Sequence, residues 1–186
     1  MERKTRILPL EPPYPPDVSE TLAKMMPPGE PPLRLFRTIA HHPRLLRRFS
    51  QLGGGVLTHS SLELPDRELV IHRTCARAGA EYEWGVHVAR FGRPLGFSEE
   101  QIRATVLGDG ESPVWSDRQR LLIRFTDELH ETADVSDEIW TALEAHWDEA
   151  QRIELLLLAG FYRLVSYVVN ATRVEKEKGA EVFPVI

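Results

Sequence analysis

From Pro32 onward the apolar residues return at every third or fourth position, and no stretch keeps for long the alternation of period two that a half-buried strand requires. Val70, Ile71, Thr74, Cys75 and Ala78 fall on one such stripe, and Leu121, Leu122, Phe125, Thr126 and Leu129 on another. Residues spaced in this way reach a common core only by packing helix on helix, so the fold class is all-α. At 186 residues the chain can bury one sizeable core, with an appendage beside it.

Proline, glycine and serine divide the chain. Nine prolines between Pro9 and Pro32 exclude a continuous helix there and predict an extended arm around one short helical piece, DVSETLAKMM. PPLRLFRTIA and PRLLRRFSQL then read as a helical hairpin, with the second helix broken by Gly53 to Gly55. A helix over Pro65 to Ala78 presents one inward stripe and stops at Gly79; a second begins near Ala80 and runs to about Arg90. Ser98 with Gln101 forms a capping box, Ser116 or Asp117 caps a later helix, and Ser136 caps another. His41 and His42 stand where a helix ends and read as carbonyl caps, while Trp115, Trp140 and Trp147 read as core or interface residues. The resulting division is residues 1–60 as arm and hairpin and residues 61–186 as the main helical domain.

Charge and composition narrow the partners. A net charge of −5 does not suit a polyanion binder, so nucleic acid is not expected. The first sixty residues hold nine Lys and Arg against five Asp and Glu, whereas the remainder is acidic; a basic arm lying on an acidic domain is one reading, and solvated surface charge is the other. Cys75 is the only cysteine, so no disulfide framework exists within one subunit. The opening residues carry no long apolar run, and LLLLAGFYRLVSYVV, interrupted by Arg163, reads as too short to span a membrane. Cytoplasmic location without membrane attachment is expected. That same stretch is apolar on nearly every side, which predicts cover by neighbouring helices or by a second copy, hence a homo-oligomer.

One constellation carries chemistry. Glu83 and His87 lie four residues apart, on one helical face, where a carboxylate can hold an imidazole tautomer and raise its pKa. A reversal at Gly79 would bring Glu68 toward the start of that helix and complete a three-member proton relay. Pairs with this spacing are also common on solvated faces, and the same three side chains could equally form a packing network. Glu68, His72 and Cys75 share a second face, but Cys75 falls in the apolar stripe, where burial makes a thiol inert. No spacing separates a metal ligand set from the relay, and none is assigned.

The string RELVIHRTCARAGAEYEWGVHVARFGRPLGFSEEQI resembles the carboxymuconolactone decarboxylase-like family, which includes alkylhydroperoxidase D (AhpD) relatives. Arg67-Glu68, Glu81 to Trp84, His87 and Gly96 to Glu100 carry the likeness, which extends over roughly residues 34–175. It implies an AhpD-like helical bundle behind the proline-rich arm, assembled as a trimer, dimer or hexamer. In the peroxidase branch a Cys-x-x-Cys-x-x-x-His element follows a glutamate; here the cysteine positions hold Ala80 and Glu83, and the glutamate and histidine fall on Glu68 and His87. A dithiol reaction needs both sulfurs, so the decarboxylase branch is the nearer analogy. The resemblance then implies a cofactor-free lyase working by acid/base chemistry on a small carboxylate or carbonyl compound. His87 would be the principal acid/base, Glu83 its orienting group and Glu68 the relay, with Tyr82 and Trp84 shaping the substrate pocket. An antioxidant, peroxiredoxin-like activity is the alternative, and a small-molecule binding protein without catalysis, suggested by Ala80, is a third.

Overall fold

The computed structural model describes residues 4–185, and among these the ordered elements are helical. The proline-rich arm leads into α1 (Pro16–Lys24), followed by α2 (Arg34–Ile39) and α3 (Pro43–Leu57). The main bundle comprises α4 (Leu64–Arg77), α5 (Glu81–His87), α6 (Glu99–Leu107), α7 (Asp117–Thr132), α8 (Asp137–Glu144) and α9 (Glu149–Thr172). The all-α class expected from the spacing is the observed one among the described residues.

Helix α4 is the axis of the bundle, with α5, α6, α7 and α9 packed around it. Its burial exceeds the single inward stripe expected: every residue from Asp66 to Cys75 is buried. Charged side chains tolerate that position because they are paired, Arg73 with Asp127 at 2.6 Å and Arg67 with Glu68 at 3.0 Å. A second, smaller core of Val18, Leu22, Ala40 and Leu46 ties α1 to α2 and α3. The basic arm reaches the C-terminal tail through Arg34, which donates to the Lys176 carbonyl at 2.5 Å and lies 3.6 Å from Glu177.

Local chemistry sets most boundaries. Ser98, Ser116 and Asp148 each close a reciprocal capping box, with Gln101, Gln119 and Gln151 respectively, and Ser136 caps α8. Gly79, at φ +64°, turns the chain from α4 into α5. His42 caps the opposite polarity from that expected, accepting from the Leu45 amide at the start of α3, while His41 Nε2 bonds the Leu8 carbonyl at 2.9 Å.

Three sequence expectations are corrected. Helix α3 continues through Gly53 to Gly55 because its packing outweighs glycine's low propensity: a Cβ on Gly53 would stand 3.1 Å from the Phe161 ring of α9. Helix α5 gives way after His87 to a π-turn, Val88–Gly92, an inserted residue that side-chain periodicity does not register. Helix α9, at 24 residues with a most apolar window of mean hydropathy 1.4, is long and apolar enough to cross a membrane by length and composition, contrary to the expected shortness. Its inner face, from Leu155 through Tyr162 to Val169, is instead buried in the bundle core.

Candidate functional site

Glu68 sits in the middle of α4 with no solvent exposure, and both its carboxylate oxygens are taken. Oε1 accepts from Arg67 Nε and Nη2 at 3.2 and 3.0 Å. Oε2 lies 2.7 Å from His87 Nδ1, at the far end of α5. The Gly79 reversal therefore brings Glu68 against the end of α5, not against its start. Arg67 is itself fixed from α3, donating to the Leu57 carbonyl at 2.6 Å.

The other ring nitrogen of His87 meets two groups. Tyr162 Oη, from α9, is 3.0 Å from Nε2, and the two rings stand nearly perpendicular at 88°. Glu83 Oε1 is 3.5 Å from the same nitrogen, a charge contact longer than a good hydrogen bond. The orienting role expected of Glu83 thus belongs geometrically to Glu68, whose bond to Nδ1 sets the tautomer.

Electrostatics follow from that geometry. Burial opposes a charge on His87, but the Glu68 carboxylate, aided by Glu83, outweighs it and lifts the imidazole pKa to about 9. For Glu68, burial pushes upward and is outweighed by His87, His72 and Arg67, leaving the carboxyl below its ordinary range. The cluster at neutral pH thus holds an imidazolium and a guanidinium around a carboxylate, with Glu83 alongside. His72, 3.9 Å from Glu68, behaves oppositely: complete burial drives its pKa down to about 4, so it stays neutral. Cys75 is fully buried, and burial with the charge of Glu83 raises its thiol well above the ordinary value.

His87, Glu83 and Tyr162 line a cavity of about 220 Å³. Phe36 and Phe49 from the hairpin, Phe91 from the π-turn and Phe161 from α9 supply an aromatic wall, and Met25 to Pro27, just after α1, close one side. An apolar pocket in which a few polar groups converge is the usual form of a small-molecule site. Among the described residues, no group of three or more His, Cys, Asp or Glu is arranged to hold a metal ion.

Tyr82 and Trp84, expected to shape the pocket, do not line it. The Tyr82 hydroxyl donates to Glu177 at 2.6 Å and accepts from the Leu35 amide at 3.1 Å, tying the C-terminal tail and α2 to α5. Trp84 donates to Thr105 at 2.9 Å inside the core. Alternate helix positions point in different directions, so neighbours of Glu83 in sequence turn away from its cavity. Two participants had no assigned role in the sequence reading, Arg67 and Tyr162. A hydroxyl in the middle of the apolar run of α9 is the signal for Tyr162, since a buried phenol needs a polar partner.

Solved structures share this architecture. An uncharacterized peroxidase-related protein from Silicibacter sp. TM1040 superimposes with a TM-score of 0.79 at 17% identity, over 95% of this chain and 93% of its own. The debrominase Bmp8, a cysteine-to-alanine variant of which was solved with 2,3,4-tribromopyrrole, gives 0.78 at 15% identity, over 95% and 94%. An Agrobacterium tumefaciens protein of unknown function, proposed as the antioxidant defence protein AhpD, gives 0.68 at 21% identity, over 75% and 95%. These likenesses concern the fold. No curated protein matches the chain. Residues 43–128, which hold Glu68, Glu83 and His87, match the family described as the carboxymuconolactone decarboxylase family.

Proposed function

We propose that the chain is a cofactor-free acid/base enzyme acting on a small, largely apolar carbonyl or carboxylate compound, in the manner of a lyase. The single observation that carries this reading is His87, held charged by Glu68 through a 2.7 Å bond at the edge of an aromatic cavity. When carbon dioxide leaves a carboxylate next to a carbonyl, the carbon–carbon bond electrons pass into an enolate. An adjacent imidazolium stabilises that charge and can return a proton to carbon. With both ring nitrogens protonated, Nδ1–H donates to Glu68 and Nε2–H to Tyr162 Oη; the proton returned to the substrate is then the phenol's own, replaced on Tyr162 by the Nε2 proton, which leaves His87 neutral.

Thiol chemistry finds less support. The peroxidase-related and debrominase neighbours raise that alternative, but Cys75 does not line the cavity and its thiol is held protonated by burial. Turnover screening with lactone acids and enolisable ketones tests the acid/base reading. His87→Gln should abolish any activity found while keeping the fold, and undiminished turnover would remove His87 from the mechanism.

A homo-oligomer forms part of the same proposal. Ile153, Leu157, Leu164 and Tyr167 are exposed on the outer side of α9, an apolar surface that a second copy would cover. Sedimentation of the wild type against Leu157→Glu checks it, with the variant expected to run as the smaller species.

A further inference from the structure

Glu83 differs from the other carboxylates of the bundle core. It is only 6% exposed and lines the aromatic cavity, its Oε1 faces His87 at the long distance of 3.5 Å, and its Oε2 is buried with no hydrogen-bond partner among the described residues. Glu68 on α4, by comparison, has both oxygens engaged. A buried carboxylate oxygen without a donor costs stability, and in a native protein such a group calls for a functional or structural reason. Phe36, Phe49, Phe91 and Phe161 offer that oxygen only ring carbons, and the donors that also line the cavity, Lys24, Ser50, Thr58, Arg90, His87 and Tyr162, make no hydrogen bond to it.

We propose that Glu83 Oε2 is the recognition point for a hydrogen-bond donor on the ligand, so that the cavity selects small flat-ring compounds carrying a phenol or enol O–H. The aromatic wall receives the ring by stacking and edge contacts, and the free oxygen receives the O–H. A ring of the same shape with a methyl group in place of the hydroxyl leaves Oε2 as starved as it is in the empty protein. Selectivity thus comes from the group left unpaired when the wrong ligand enters. The inference rests on the reading of this cavity as the substrate site, and it adds a substrate class to that reading.

Phenol and toluene, nearly equal in shape, are the probes, with binding to the unmodified full chain measured by calorimetry. Phenol should bind at least about ten-fold more tightly, the loss expected when a charged acceptor goes unpaired. Glu83→Leu should reverse the order in favour of toluene, and Glu83→Gln, which keeps the shape and removes the charge, should shrink the ratio toward one. The glutamine variant carries the test if the leucine variant does not fold by circular dichroism. Equal binding of the two probes, no phenol binding, or a phenol preference that survives these substitutions would overturn the assignment. Binding is read without turnover, so these outcomes stand apart from the loss of activity in His87→Gln that tests the acid/base reading.

Discussion

Glu68 Oε2 and His87 Nδ1, nineteen residues apart in the chain, meet at 2.7 Å in a site from which solvent is almost wholly excluded. Every charge-dependent property of the site follows from this contact, because the carboxylate overcomes the penalty that burial places on the imidazolium.

Replacing Glu68 by Gln should therefore lower the His87 pKa from about 9 to below its ordinary value of 6.5, since burial would then act with far less opposition. Titration of the imidazole by NMR reads the shift. A pKa that stays near 9 would show that Glu83, not Glu68, holds the charge.

Stability should depend on pH in a definite direction. A group whose pKa is raised on folding stabilises the native state in full below its ordinary value and loses that contribution as pH climbs past the raised one. For His87 the loss runs from about 6.5 to about 9. Urea unfolding at pH 6.5 and pH 9.5 should show a lower midpoint at the higher pH, and His87→Gln should flatten the difference. The depressed carboxyl of Glu68 acts at the other end, its contribution being lost as pH falls below its ordinary value of 4.5.

Tyr162→Phe removes the hydroxyl that stands 3.0 Å from His87 Nε2 and leaves the ring in place. If that hydroxyl presents its hydrogen to the substrate, kcat should fall by about 10²-fold, the scale seen when one preorganised donor is lost. KM should change little, a split that steady-state kinetics resolves.

Cys75→Ala should leave turnover unchanged and cost roughly 1–2 kcal/mol of stability, because the thiol fills space in a packed interior and does not reach the cavity. Peroxide consumption that is measurable in the wild type and vanishes in this variant would instead favour the antioxidant alternative.

Chain-local physics was legible before any coordinates. The capping box at Ser98, the cap at Ser116, the stop at Gly79 and the helical class all follow from interactions within a few residues, and all stand in the structure. The histidine and its two candidate carboxylates were likewise visible from spacing and resemblance, and they do converge. Where glycines and helix continuity compete, local propensity misleads: Gly53 to Gly55 should interrupt α3, yet contact with Phe161 from a helix a hundred residues away carries it through.

What the amino-acid order alone determined, then, is the helical class, where the capped helices begin, and that Glu68, Glu83 and His87 could share a site. Only the tertiary structure decided that Glu68 rather than Glu83 grips Nδ1, that Tyr162 reaches Nε2 across seventy-five residues, and that Tyr82 and Trp84 face away from the cavity. The reason is geometric: spacing along one helix sets which side chains share its face, whereas the partner each face meets depends on how α4, α5 and α9 cross, and those crossings are settled by packing across the whole core.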